Sequence, residues 1–297
     1  MKSAALRYAL VALGMAVFFS SPARAGSETA EVGMAHAARG RYDSAVAVFS
    51  AILETGDSPV IRDLRAAALA HLGRNEDALL DAEQAVRLDT LTARFRYNLG
   101  LIRAYGSRDR DASLQDLAAS LELRGDSALR SHTLMSRALI LMESGAYEAA
   151  DMDLERLANE DDAAPRILLL RAICAYGANR PDAAAGYAAR ILENAHDTFL
   201  LCDARIILGN LRHKRGEWME AKEFYRSALN ENPRSSVAHH NLGVVCERIA
   251  HDDYRRYIRN RTKNANGKDD GDADAKSIMR TLEPDLEPLI PSLYRVP

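Results

Sequence analysis

Residues 208–233 read LGNLRHKRGEWMEAKEFYRSALNENP. Gly209 and Ala221 are small residues twelve apart, Gly216 lies between them, and Tyr225, Ala228 and Leu229 precede Pro233. Apolar residues recurring at three- and four-residue intervals indicate amphipathic helix, and a Gly set among charged residues indicates a turn. The stretch therefore predicts two helices of about three to four turns each, joined by a short turn at Gly216. Small side chains at the two marked positions let antiparallel helices approach closely, where a larger one would hold them apart.

The same pattern runs through the chain. Gly33, Ala66, Gly100, Ala138, Ala172, Gly209 and Gly243 follow one another at intervals of 33, 34, 38, 34, 37 and 34 residues. A second small residue comes about a dozen positions later, at Ala45, Ala78, Ser113, Ala150, Ala184 and Ala221. Turn signals separate the two at Gly40, Gly73, Gly145 and Gly216. Such a unit cannot bury its apolar face alone, so successive units must stack into a continuous core.

The period and these small-residue positions resemble those of the tetratricopeptide repeat family. The resemblance implies an all-α fold, a right-handed α-solenoid of stacked antiparallel helix pairs. Six units are expected at 26–58, 59–92, 93–130, 131–164, 165–201 and 202–235, with a lone capping helix at 236–257 that bears the first-helix signature Asn241-Leu242-Gly243. Arg65, Arg137 and Arg171 depart from the pattern, standing where the family carries Leu. An extra residue near Ser107-Arg108-Asp109-Arg110 and the 38- and 37-residue intervals suggest longer connections after the third and fifth units.

Outside the array, residues 1–25 read as an export signal. Lys2 and Arg7 precede the apolar run Ala9–Phe19, and Ala23 and Ala25 set up cleavage before Gly26. The run is shorter than the roughly 20 residues a membrane span needs. Beyond Tyr257 comes a mixed-charge linker, 258–276, and then an apolar segment at 277–297 interrupted by Pro284, Pro288 and Pro291. That segment reads as a docking peptide, a strand of chain folding back onto the array, or an inert tail.

Composition narrows the function classes. Hydrophobic residues are 47% and charged residues 27%, the balance of a folded soluble protein. The net charge of −3 argues against bulk affinity for nucleic acid. Loss of Lys2, Arg7 and Arg24 takes the 39 basic residues to 36 against 42 acidic ones, so the mature chain is mildly acidic. There is no phosphate-binding loop, no Gly-x-Ser-x-Gly and no His-Glu-x-x-His. Adjacent His239 and His240 diverge on a helix, and Asp269-Asp270-Gly271-Asp272 lacks the distal Glu of a calcium loop. No catalytic residue, metal or cofactor is expected. Cys174, Cys202 and Cys246 sit at staggered depths along successive first helices. Nine residues of stagger is about 13 Å along a helix, beyond disulfide reach, so three free and mostly buried thiols are expected.

The family binds ligands along a concave groove lined by first helices. Its inward positions fall here on Met34, Arg94, Tyr97, Leu101, Tyr105, Met135, Leu139 and Met142, and then on Leu169, Ile173, Tyr176, Asn210, His213, His240 and Val244. Met adapts to irregular ligands and Tyr adds area plus a hydroxyl, a combination suited to a peptide or an amphipathic helix. What the resemblance implies is a non-enzymatic scaffold that binds a protein or peptide partner, exported to the periplasm of a bacterial envelope. No membrane span is expected after cleavage, and peripheral association stays open. The alternative is a structural subunit of an envelope assembly, binding through its convex face while its own tail fills the groove.

Overall fold

The computed structural model describes residues 28–160 and 164–264, so the export signal, the greater part of the linker and the apolar tail lie outside the described residues. Thirteen α-helices and no strand make up what is described. They fall into two compact units that divide between Asn159 and Glu160.

The first unit holds α1 (Glu28–Ala38), α2 (Tyr42–Thr55), α3 (Pro59–His71), α4 (Asn75–Leu88), α5 (Ala93–Ile102), α6 (Arg110–Glu122), α7 (Ser127–Glu143) and α8 (Tyr147–Glu160). The second holds α9 (Pro165–Gly177), α10 (Pro181–Asn194), α11 (Thr198–Lys214), α12 (Trp218–Glu231) and α13 (Ser236–Asn264). Within each unit consecutive helices pack against one another, and each first helix also touches the next first helix. The architecture is a stack of helix pairs.

The small residues sit at the tightest contacts. Ala45, Ala78, Ser113, Ala150, Ala184 and Ala221 are all fully buried, as are Ala66, Ala138 and Ala172. Their glycine counterparts are packed closer still. A Cβ on Gly209 would lie 2.5 Å from the Tyr225 ring, and one on Gly100 would lie 2.9 Å from Leu117. One on Gly33 would overlap the Phe49 ring. In each case the second helix inserts a large side chain into the space the first helix leaves by having no side chain. Gly243 keeps the register, but nothing lies within 4 Å of its Cβ position.

Each turn between paired helices is built the same way. Gly40, Gly73, Gly145 and Gly216 take φ between 72° and 80°, a left-handed conformation that costs a glycine little. The next residue's N–H reaches back to the carbonyl five residues earlier, as from Arg41 to His36 and from Glu217 to Arg212, which closes the helix end. The two pairs without glycine use Arg108 and Asn179, at φ 59° and 55°.

The extra residue of the third repeat is absorbed inside the helix. Residues Arg103–Ser107 form a π-helical turn that continues α5, and the closing bond spans six residues, from Asp109 N–H to the Arg103 carbonyl. The longer connections expected after the third and fifth repeats are absent. Residues 123–126 and 195–197 are short, and the additional residues lengthen α7 and α11 to 17 each, against 13 in α3 and α9. Aspartates start those helices early: Asp126 accepts from the Leu129 N–H and Asp197 from the Phe199 N–H, each satisfying a first-turn donor. The terminal helix also differs from its expected limit, because α13 runs through Asn264 rather than ending at 257.

Candidate protein-binding surfaces

The arginines that depart from the repeat pattern lie between paired helices. Arg65 grips Asp81, sixteen residues on, through Nε–Oδ2 at 2.6 Å and Nη2–Oδ1 at 2.8 Å. Arg137 grips Asp153 at the same spacing, with 2.7 and 2.6 Å. Arg171 places its guanidinium 4.7 Å from the ring of Tyr187, again sixteen residues on. In the third repeat Arg96 and Arg103, one turn to either side of Leu99, both reach Asp116. A charged or cation–π pair takes the place of an apolar contact, with bidentate geometry that offsets the cost of burying Asp81 and Asp153.

The first-helix positions carried over from the family divide into two groups. Tyr97, Leu101, Leu139, Met142, Ile173, Asn210 and His213 are buried, as is Val244, and offer no surface to a partner. This corrects the expectation that they line an open groove, and the cause is the neighbouring helices. Tyr97 and Leu101 share one apolar cluster with Leu117 of α6 and with Leu129 and Ile140 of α7, so the added turn of α7 covers them. The Tyr97 hydroxyl lies 3.3 Å from Ser136 Oγ, and burial pushes it up to about 12. Asn210 receives hydrogen bonds from Tyr225 Oη at 2.8 Å and from Asn241 Nδ2 at 2.9 Å, and so lies within the stack. His213 turns toward α12, its ring edge-on to Trp218 with centroids 4.8 Å apart.

The other positions are half-buried: Met34, Arg94, Tyr105 and Met135 in the first unit, and Leu169, Tyr176 and His240 in the second. These retain access to solvent. Tyr105 leaves the π turn with a buried hydroxyl that has no hydrogen-bond partner among the described residues, and burial raises it, with the Glu143 carboxylate adding to the effect. Tyr176 holds Lys214 Nζ 4.0 Å above its ring.

One buried polar cluster escaped the sequence reading. Asp63 of α3 is fully buried, accepts from Asn98 Nδ2 at 2.7 Å, and has Oδ2 3.2 Å from Arg94 Nε. Burial outweighs both partners and lifts its carboxyl to about 6. Its only signal in the sequence is an Asp at a first-helix inner position of the second repeat, which by itself resembles any surface aspartate.

No group of three or more His, Cys, Asp and Glu side chains stands ready to hold a metal among the described residues. Cys174 and Cys202 are buried and Cys246 is exposed, and none of the three forms a disulfide. No described helix is long and apolar enough to cross a membrane.

No family model and no curated protein matches the chain. Solved structures do. The C-terminal part of a TPR repeat-containing protein from Cytophaga hutchinsonii is similar at 15% identity, over 86% of this chain and 96% of that one, with a TM-score of 0.60. PilW, a type IV pilus biogenesis factor, is similar at 16% identity over 73% and 96%, with a TM-score of 0.56. YrrB, a TPR protein with an unusual peptide-binding site, is similar at 16% identity over 65% and 96%, with a TM-score of 0.54. At these identities the similarity is one of fold.

Proposed function

We propose that this chain, which has the tetratricopeptide repeat fold, is a non-enzymatic interaction protein of the bacterial envelope. It seats a peptide or helical segment of a partner on the partly open faces of its first helices. The observation that carries this reading is the half-buried set on those helices. Met34 and Met135 in one unit, and Leu169 and Tyr176 in the other, keep part of a large side chain open to solvent while their neighbours are packed away. Two further facts support it. Proteins of the same fold include the peptide-binding YrrB and the pilus biogenesis factor PilW. The order of Lys2 and Arg7, apolar run, and Ala23-Arg24-Ala25 is that of an export signal.

The reading is tested with peptides selected by display against the mature chain. Met135→Glu and Leu169→Glu, each shown by circular dichroism to keep its helix content, should each weaken binding of peptides seated in that unit by about tenfold or more. Undiminished binding in both variants would contradict it.

A further inference from the structure

The last first helix, α13, has one face that no described residue covers. His239, Gly243, Cys246 and Ala250 recur at intervals of four, three and four, which places them on one side of the helix, and all four are exposed. The opposite side is the one that packs. Asn241 Nδ2 donates to Asn210 Oδ1 of α11 at 2.9 Å, and Val245 joins a cluster with Ala221 and Tyr225 of α12.

The exposed face has counterparts within the same molecule. Gly33, Gly100 and Gly209 hold the repeat position of Gly243, and each is covered by a large side chain of the next helix, Phe49, Leu117 and Tyr225 respectively. Ala66, Ala138 and Ala172, at that position in the other repeats, are fully buried. The cover runs back along the helix it follows: His213 meets Trp218, Gly209 meets Tyr225, and Arg205 meets Glu231. Over Gly243 no described atom comes within 4 Å of a Cβ.

The segment that follows α13 in the chain has the composition for the same place. Residues 278–290 include Ile278, Met279, Leu282, Leu286, Leu289 and Ile290. Pro284 and Pro288 exclude a regular second helix there, so the cover is an irregular stretch of chain. The distances match. Asn264 lies eighteen residues past Cys246, about 27 Å along α13. Leu282 lies eighteen residues past Asn264, and an unstructured chain of that length spans roughly 21–25 Å on average. A segment tethered in this way has a local concentration on the order of 1 mM, which favours it over a second copy in dilute solution.

We propose that residues 278–290 run back along α13 and lie on the face formed by His239, Gly243, Cys246 and Ala250, closing the last repeat from within the same chain. An irregular segment adjusts to a single added methyl, so Gly243→Ala alone does not displace it. The contact stands whether or not the half-buried first-helix positions bind a peptide.

Cys246 reports on the cover, because Cys174 and Cys202 are buried. The full mature chain is treated with a maleimide, and the labelled cysteine is identified by peptide mass. The rate at Cys246 is compared with that in a variant carrying Leu282→Ser, Leu286→Ser and Leu289→Ser. These changes fall outside the described helices and add no charge beside the thiol, and circular dichroism checks that helix content is kept. A local concentration of about 1 mM and a Kd near 0.1 mM give about nine-tenths occupancy, so Cys246 should react about tenfold faster in the variant. Equal rates in the two proteins would overturn the proposal. Protection that deepens as protein concentration rises would also overturn it, by assigning the cover to a second copy.

Discussion

Gly209 and Gly243 occupy the same repeat position and face opposite packing. Tyr225 fills the space over Gly209, whereas the space over Gly243 is open. Gly209→Ala should destabilise the protein by about 1–3 kcal/mol, because the ring of Tyr225 must move and its hydrogen bond to Asn210 with it. Gly243→Ala should be neutral or stabilise by roughly 0.5–1 kcal/mol, the ordinary gain of alanine in a helix. Urea unfolding of the two variants checks both signs at once. Asp63 makes a second prediction at this scale. Its carboxyl is raised from 3.8 to about 6 in the folded chain, so its contribution is fully present below about pH 4 and lost as pH rises through 6. Asp63→Asn removes that titration. Relative to wild type, the variant should gain on the order of 3 kcal/mol between about pH 4 and 7, and pH-dependent unfolding that runs parallel in the two proteins would refute the assignment. The small residues of the repeat were legible because close helix approach admits few side chains. Asp63 was not, because nothing local in the sequence marks an aspartate whose partners lie on another helix.

Helix ends decide how each repeat turns, and here sequence reading succeeds in part. Four glycines announced their turns, and the left-handed φ of each confirms why glycine is there. Arg108 and Asn179 do the same work without announcing it, held by the backbone bonds from Asp109 to Arg103 and from Arg180 to Ala175 in a conformation that costs an Arg roughly 1 kcal/mol. Arg108→Gly should therefore raise thermal stability by a few tenths to about 1 kcal/mol after allowance for the freer unfolded chain, and Gly216→Ala should lower it by a comparable amount. Calorimetry on both variants tests the pair. Interval counting located the surplus residues but not their destination. A gap in a repeat is compatible with a longer loop or a longer helix, and Asp126 and Asp197 decide for the helix by capping it one turn early. The π turn at Arg103–Ser107 is a third outcome of the same kind, an insertion taken up without breaking the helix.

For the molecule as a whole, the fold class was legible because one supersecondary pattern recurs in register. The proposed binding surface was only half legible. Positions transferred from a family spacing identify which helix face points inward in a regular stack, but Tyr97, Leu139 and Ile173 are sealed by this chain's own neighbours. The surface proposed for a partner is therefore the half-buried remainder on the first helices. Photo-crosslinking in living cells distinguishes this surface from the second helices. A benzophenone residue is placed in turn at Met135 and Leu169, on first helices, and at Leu80 and Met152, which are 62% and 59% exposed on second helices. Binding through first-helix faces predicts a protein adduct from position 135 or 169 and none from 80 or 152. Adducts from 80 and 152 alone would contradict it.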